Sequence, residues 1–151
     1  MEIERPPEVK RRPGDYLKKG WKIMAASKGV ITVVGRKKLC KAHAGDISLP
    51  PITHIAWGDG GVLENGTPKA TFGTEIALYN ELLKKEITGH AYPEETTCRY
   101  TGYLDKGELT GKEISEMGLY DAEGDLIAYR TFRRKGKDED IPLSFEMDEI
   151  F

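Results

Sequence analysis

Glycines 58, 60, 61, 66, 73, 102, 107, 111, 118 and 124 punctuate the middle of this chain, and they constrain its fold more than any other feature. Glycine is costly inside helices and strands and recurs at turns, strand breaks and close backbone approaches. The spacing therefore reads as a β-rich body of short strands joined by tight turns. With 17 glycines in 151 residues the chain exceeds the ~7% of an average protein, and the excess belongs to these turns rather than to side-chain chemistry.

Length and charge narrow the class. A chain of this size buries roughly 68–70% of the surface its unfolded form exposes, which suffices for one core. The formal charge is −2, from 23 Lys and Arg against 25 Asp and Glu, without the strongly basic balance of a nucleic-acid binder. No run approaches the ~18–20 apolar residues of a membrane span, and the N-terminal MEIERPPEVKRRPGDY has no apolar core of a secretory signal, so synthesis and assembly in the cytoplasm are expected. Cys40 and Cys98 stand alone, without CxxC or CxxH spacing, and read as free structural thiols.

Along the chain, residues 1–28 read as an extended, proline-rich basic arm and 29–151 as the folded domain. Residues 1–22 carry seven Lys and Arg against four acids, a balance of +3, with Tyr16 and Trp21 interleaved as candidate contacts for a partner. A helical turn is expected at Ile23 to Ser27. A short helix is expected from Arg36 to Ala44, stopped by Gly45. ITHIAW (Ile52 to Trp57) alternates as a strand does and halts at Gly58, Asp59, Gly60 and Gly61. TEIALYNELLKKEI (Thr74 to Ile87) has apolar residues at 76, 78, 79, 82, 83 and 87, with Thr74 as N-cap, and predicts one long helix. Strands are expected over Thr96 to Leu104, on both sides of an Asp121 to Asp125 hairpin loop, and over Leu143 to Phe151. The expected fold class is α+β: an antiparallel sheet of about five strands, with a sandwich as one arrangement, plus one long and one short helix and the arm.

Chemistry is sparse. His43, His54 and His90 share no HxH, HExxH or carboxylate spacing, so no metal site is expected. GDGG is neither GxxxxGK[ST] nor GxGxxG, and Asp59 alone offers too few oxygens for Ca²⁺, so a sharp turn after Trp57 is its expected role. No GxSxG, catalytic cysteine signature or carboxylate pair stands out, and neither a cofactor nor an enzymatic activity is expected. Arg130, Arg133, Arg134, Lys135 and Lys137 are answered at once by Asp138, Glu139 and Asp140, the pattern of a solvated turn.

Two blocks carry a resemblance. LPPITHIAWGDGG (Leu49 to Gly61) followed by ALYNELLKKEI, and ISEMGLYDAEGDLIAYRTF (Ile114 to Phe132), resemble the N-terminal domain of phage tail-collar and tail-fibre proteins. In that family a Glu-apolar-Gly-Leu-Tyr-Asp run leads into a glycine turn and an apolar strand. GRKKLCKAHAG sits where the family has a short helix, so the similarity covers about residues 30–150. The motif residues are Gly58, Asp59, Gly60, Gly61, Gly118, Leu119, Tyr120 and Asp121. The resemblance implies a structural protein of a contractile phage tail or phage-tail-like bacteriocin, present in several copies, that attaches or bridges a tail fibre to the baseplate. Baseplate proteins and the fibre would be its partners, and nucleic acid and membrane would not. The added arm and the lack of a shaft point to an adaptor or cap rather than a receptor-binding fibre. Candidate partner contacts are Tyr16, Trp21, Trp57, Ile150 and Phe151, the last pair on an edge strand that a neighbour could extend. The competing reading is a cytosolic small-ligand-binding or hydrolytic domain that uses the GDGG loop with His54 and Asp59.

Overall fold

The computed structural model describes residues 29–151; the arm, with Tyr16, Trp21 and the turn expected at Ile23 to Ser27, lies outside the described residues. The described chain runs β1 (Val30–Ile31), α1 (Val33–His43), β2 (Ile52–Gly58), β3 (Glu81–Glu86), β4 (Gly89–Glu94), β5 (Thr97–Leu104), β6 (Glu113–Asp121), β7 (Leu126–Gly136) and β8 (Leu143–Ile150). The strands form two antiparallel sheets, one ordered β1-β7-β6-β2-β3 and the other β4-β5-β8.

The main core lies between the sheets. Ile55 and Trp57 from β2, Met117 and Leu119 from β6, and Phe132 from β7 meet Leu104 from β5 and Phe145 and Met147 from β8. Trp57 stands edge-on to Phe145, with centroids 5.8 Å apart, and Gly102 of β5 leaves room for Ile55 and Trp57 to approach its backbone. Each aromatic pair of this kind adds ~0.5–1.5 kcal/mol beyond the area it buries. A smaller cluster of aliphatic and aromatic side chains, Ala56, Leu78, Tyr120, Leu126 and Tyr129, covers the opposite face of the larger sheet. β6 is central, and from Ile114 to Asp121 every residue is buried.

The fold is mostly β with one short helix among the described residues, which corrects the expected α+β class with a long and a short helix. The long helix does not form. Residues 74–80 are irregular and 81–86 are β3, whose Leu83 lies opposite Trp57. A helix over 74–87 would have spent the amides of Tyr79 and Asn80 on carbonyls one turn back. Both instead donate to the Glu116 carboxylate, at 2.9 and 2.8 Å, and Glu75, a first-turn residue of the expected helix, accepts from Phe72 and Gly73. Tertiary pairing overrides a propensity that is worth only tenths of a kcal/mol per residue, about 0–0.7.

The short helix forms, one turn earlier than its apolar pattern suggests. Thr32 caps it, its hydroxyl accepting from the Gly35 amide at 3.1 Å and donating to the Leu126 carbonyl at 2.6 Å. Its end is where Gly45 places it, at φ 84°, with the Gly45 amide bonded to Ala42. α1 packs on β7, and Gly35 lies against Ile127 and Ile31, where a side chain would crowd the helix off the sheet.

Candidate functional site

Glu116 is the organising residue of the region where the two resemblance blocks meet. It sits in central β6, fully buried, opposite Gly58 of β2 in register. Its Oε1 accepts from the amides of Gly60 (3.2 Å) and Asn80 (2.8 Å), and its Oε2 from the amide of Tyr79 (2.9 Å) and the hydroxyl of Tyr129 (2.6 Å). One carboxylate thus ties three elements: the glycine loop, the segment entering β3, and β7. Bonds to a charged acceptor are worth about 1.5–3 kcal/mol each, against ~1 for neutral pairs. Burial and the Glu116 carboxylate together push the Tyr129 hydroxyl well above its usual pKa, so it stays a donor.

The glycines of the loop answer to this packing. A Cβ on Gly58 would strike the Asn80 carbonyl and Glu116, and one on Gly61 would strike the Ser115 carbonyl. The loop's amides are also consumed: Asp59 donates to the Asn80 carbonyl (3.2 Å), Gly60 to Glu116 (3.2 Å) and Gly61 to Ser115 Oγ (2.9 Å). A phosphate-cradling loop aims such amides at its ligand. Here they point inward. Asp59 accepts from the Asn80 side chain at 2.6 Å, which closes the loop further.

A second polar cluster lies at the other end of β6. Asp121, almost fully buried, accepts from the amides of Glu123 and Asp125, both at 3.0 Å, and from Lys38 of α1 at 2.6 Å. Lys38 also pairs with Asp125 at 2.7 Å. Burial opposes the Lys38 charge, but the hydrogen bonds to Asp121 and Asp125 outweigh it and hold its pKa above the usual lysine value. Gly124 takes φ 85° in the hairpin, as the sequence leads one to expect. The groove beside it, about 330 Å³, is lined by Val34, Lys37, Lys38, Lys41, Ile47 and Glu123, and its most buried cation is already committed to the hairpin.

Of the sequence-derived residues, Gly58, Asp59, Gly60 and Gly61 come together with β6, where Gly118, Leu119, Tyr120 and Asp121 continue the same strand away from the loop. Gly118 gives Leu126 and Leu78 their space, and Leu119 is in the main core. Burial and then the charge of Glu81 push the Tyr120 hydroxyl up to about 12, and Lys84 lies over its ring at 3.7 Å. Trp57 is fully buried between the sheets, with no partner for its Nε1 among the described residues, so its ring is internal rather than on the surface. Ile150 and Phe151 are exposed, at 54% and 61%. His43 and His90 lie on the surface, His54 bonds Thr53 at 2.8 Å, and among the described residues no three His, Cys, Asp or Glu side chains group to hold a metal. Nor is the basic stretch uniformly solvated: Lys137 is buried and donates to the Asp138 carbonyl, and burial lowers the pKa of Arg130 against the opposing charge of Asp148.

Sequence reasoning missed Glu116 as a site residue, although the Glu of its Glu-Met-Gly-Leu-Tyr-Asp run was in view. The signal was an acid inside an otherwise apolar central strand. The class defined by the described residues is a two-sheet antiparallel β domain, braced by buried carboxylates, with one helix packed on β7. The chain matches no family model, no curated protein and no solved structure.

Proposed function

We propose that this chain is a structural, protein-binding component of a contractile phage tail or phage-tail-like particle, which attaches or bridges a tail fibre to the baseplate. The observation that carries the protein-binding part is the closure of the glycine loop: the amides of residues 59–61 bond within the domain, leaving none of them for a small anionic ligand. Surface contacts are then the main resource. Phe72 and Ile76, at 75% and 78% exposure, stand on a loop whose neighbours Glu75 and Tyr79 are pinned by hydrogen bonds, and an ordered loop loses little entropy on docking.

The tail assignment is supported by the resemblance, whose two blocks pair side by side as β2 and β6 and are tied by Glu116. The segment ALYNELLKKEI departs from the helix that its apolar spacing predicts, since its second half is a strand. The assembled role includes several copies per particle, with baseplate and fibre proteins as neighbours.

The test is fractionation of tail particles from cells that make a tagged chain, followed by imaging with a tag-directed label. Co-purification with particles and label at the baseplate are expected. A chain that stays entirely in the soluble fraction while particles assemble normally overturns the reading.

A further inference from the structure

Glu149 differs from the other buried carboxylates. It lies on β8, only 6% exposed, directly opposite Cys98 of β5. Its hydrogen-bond donor among the described residues is the Tyr100 hydroxyl, at 3.2 Å from Oε1. Among the described residues, no cation is paired with it. From β5 come Cys98 and Tyr100; from β4, His90, whose ring centroid is 6.2 Å from that of Tyr100; from β7, Arg130, whose charge acts on Asp148. On its own strand Asp148 is held by the Arg99 guanidinium at 2.9 and 3.1 Å. A buried carboxylate with one neutral donor is expensive, whereas the protonated acid is tolerated.

Position gives this a consequence. After Glu149, Ile150 and Phe151 are exposed, and the Phe151 amide is fastened to the Thr96 carbonyl at 2.9 Å. Among the described residues β8 pairs with β5 alone, so Glu149 is the last inward-facing side chain of an edge strand.

We propose that Glu149 is a pH-sensitive latch: as a neutral acid it holds the end of β8 on β5, and its ionisation releases the segment from Asp148 to Phe151. Burial raises its pKa above the usual carboxyl value, against the lowering effect of the Tyr100 bond, which agrees in direction. In the released strand the carboxyl is hydrated and titrates normally. Opening therefore increases with pH between the hydrated and the buried pKa, by up to about tenfold per unit, and then levels off. The latch would control when β5 offers a free edge to another strand.

Amide exchange at Phe151, corrected for the intrinsic pH dependence of exchange, reads this opening directly. The wild-type chain should show the rise, with Leu143 to Phe145 unaffected. Glu149→Gln, which keeps a partner for Tyr100 but cannot ionise, should abolish it, and Tyr100→Phe should leave its onset in place and carry its levelling-off to higher pH. A flat wild-type profile, or a Glu149→Gln profile matching the wild type, overturns the proposal. So does an NMR titration of the wild-type Glu149 carboxyl at or below the ordinary glutamate value, a measurement that needs no variant to fold.

Discussion

Two glutamates lie inside this domain, one in each sheet. Glu116 is fully buried, and four donors converge on its two oxygens, three of them backbone amides from another part of the chain. Glu149 is nearly as buried, but it faces one tyrosine hydroxyl and a thiol-bearing strand. The first braces the larger sheet to the loops beyond it; the second sits near the end of an edge strand of the smaller one with a single donor. Burial by itself is a cost for both, and the donor count decides whether that cost is recovered.

Removing each side chain breaks the comparison most directly. Glu116→Ala leaves three amides and the Tyr129 hydroxyl without their acceptor, and at about 1–3 kcal/mol per orphaned group a loss of roughly 4 kcal/mol or more is expected in chemical denaturation. If the loss is below ~1 kcal/mol, the brace is not structural. Gly61→Ala drives a methyl group into the Ser115 carbonyl of β6 and should cost about 2–4 kcal/mol, while Gly107→Ala, with open space around it but φ 82°, should cost about 1–2 kcal/mol from backbone strain alone.

Asp121→Ala strips the hairpin of its internal acceptor and Lys38 of its main partner, for an expected loss of ~2–3 kcal/mol. Because the folded Lys38 pKa is raised, its contribution is full below the unfolded lysine value and declines as pH rises through the higher folded one; the wild-type advantage over Lys38→Met should shrink only in that alkaline range. Tyr129→Phe removes one of four donors from Glu116 and should cost about 1–2 kcal/mol, well short of Glu116→Ala. Glu149→Gln should have the smallest effect and the opposite sign. Its folded pKa is raised, so the ionised form opposes folding at and above that pKa; the variant should gain stability there, by under ~1.5 kcal/mol, and none below the usual carboxyl range. A destabilising Glu149→Gln at alkaline pH would make the two glutamates alike.

Legibility followed the range of the interactions. The stop at Gly45, the hairpin at Asp121 to Asp125 and the strands β2, β5 and β8 rest on local residues and were readable. The start of α1 was not, because Thr32 lies in the run VITVV, which looks like a strand until Thr32 is seen to cap the helix and bond Leu126, 94 positions away. Residues 74–87 failed for the same reason on a larger scale. Their apolar spacing suits a helix, but Leu83 is needed opposite Trp57, and the Tyr79 and Asn80 amides are needed by Glu116, 37 and 36 positions on.

The sequence by itself determined antiparallel strands and glycine turns, because alternation and turn chemistry act over a few residues. Only the tertiary structure decided that the GDGG loop faces inward, that Trp57 is internal and that Glu116 gathers four donors while Glu149 is buried beside one. Each of those depends on which strand lies opposite which, and a one-residue change of register would turn every one of these side chains to the other face.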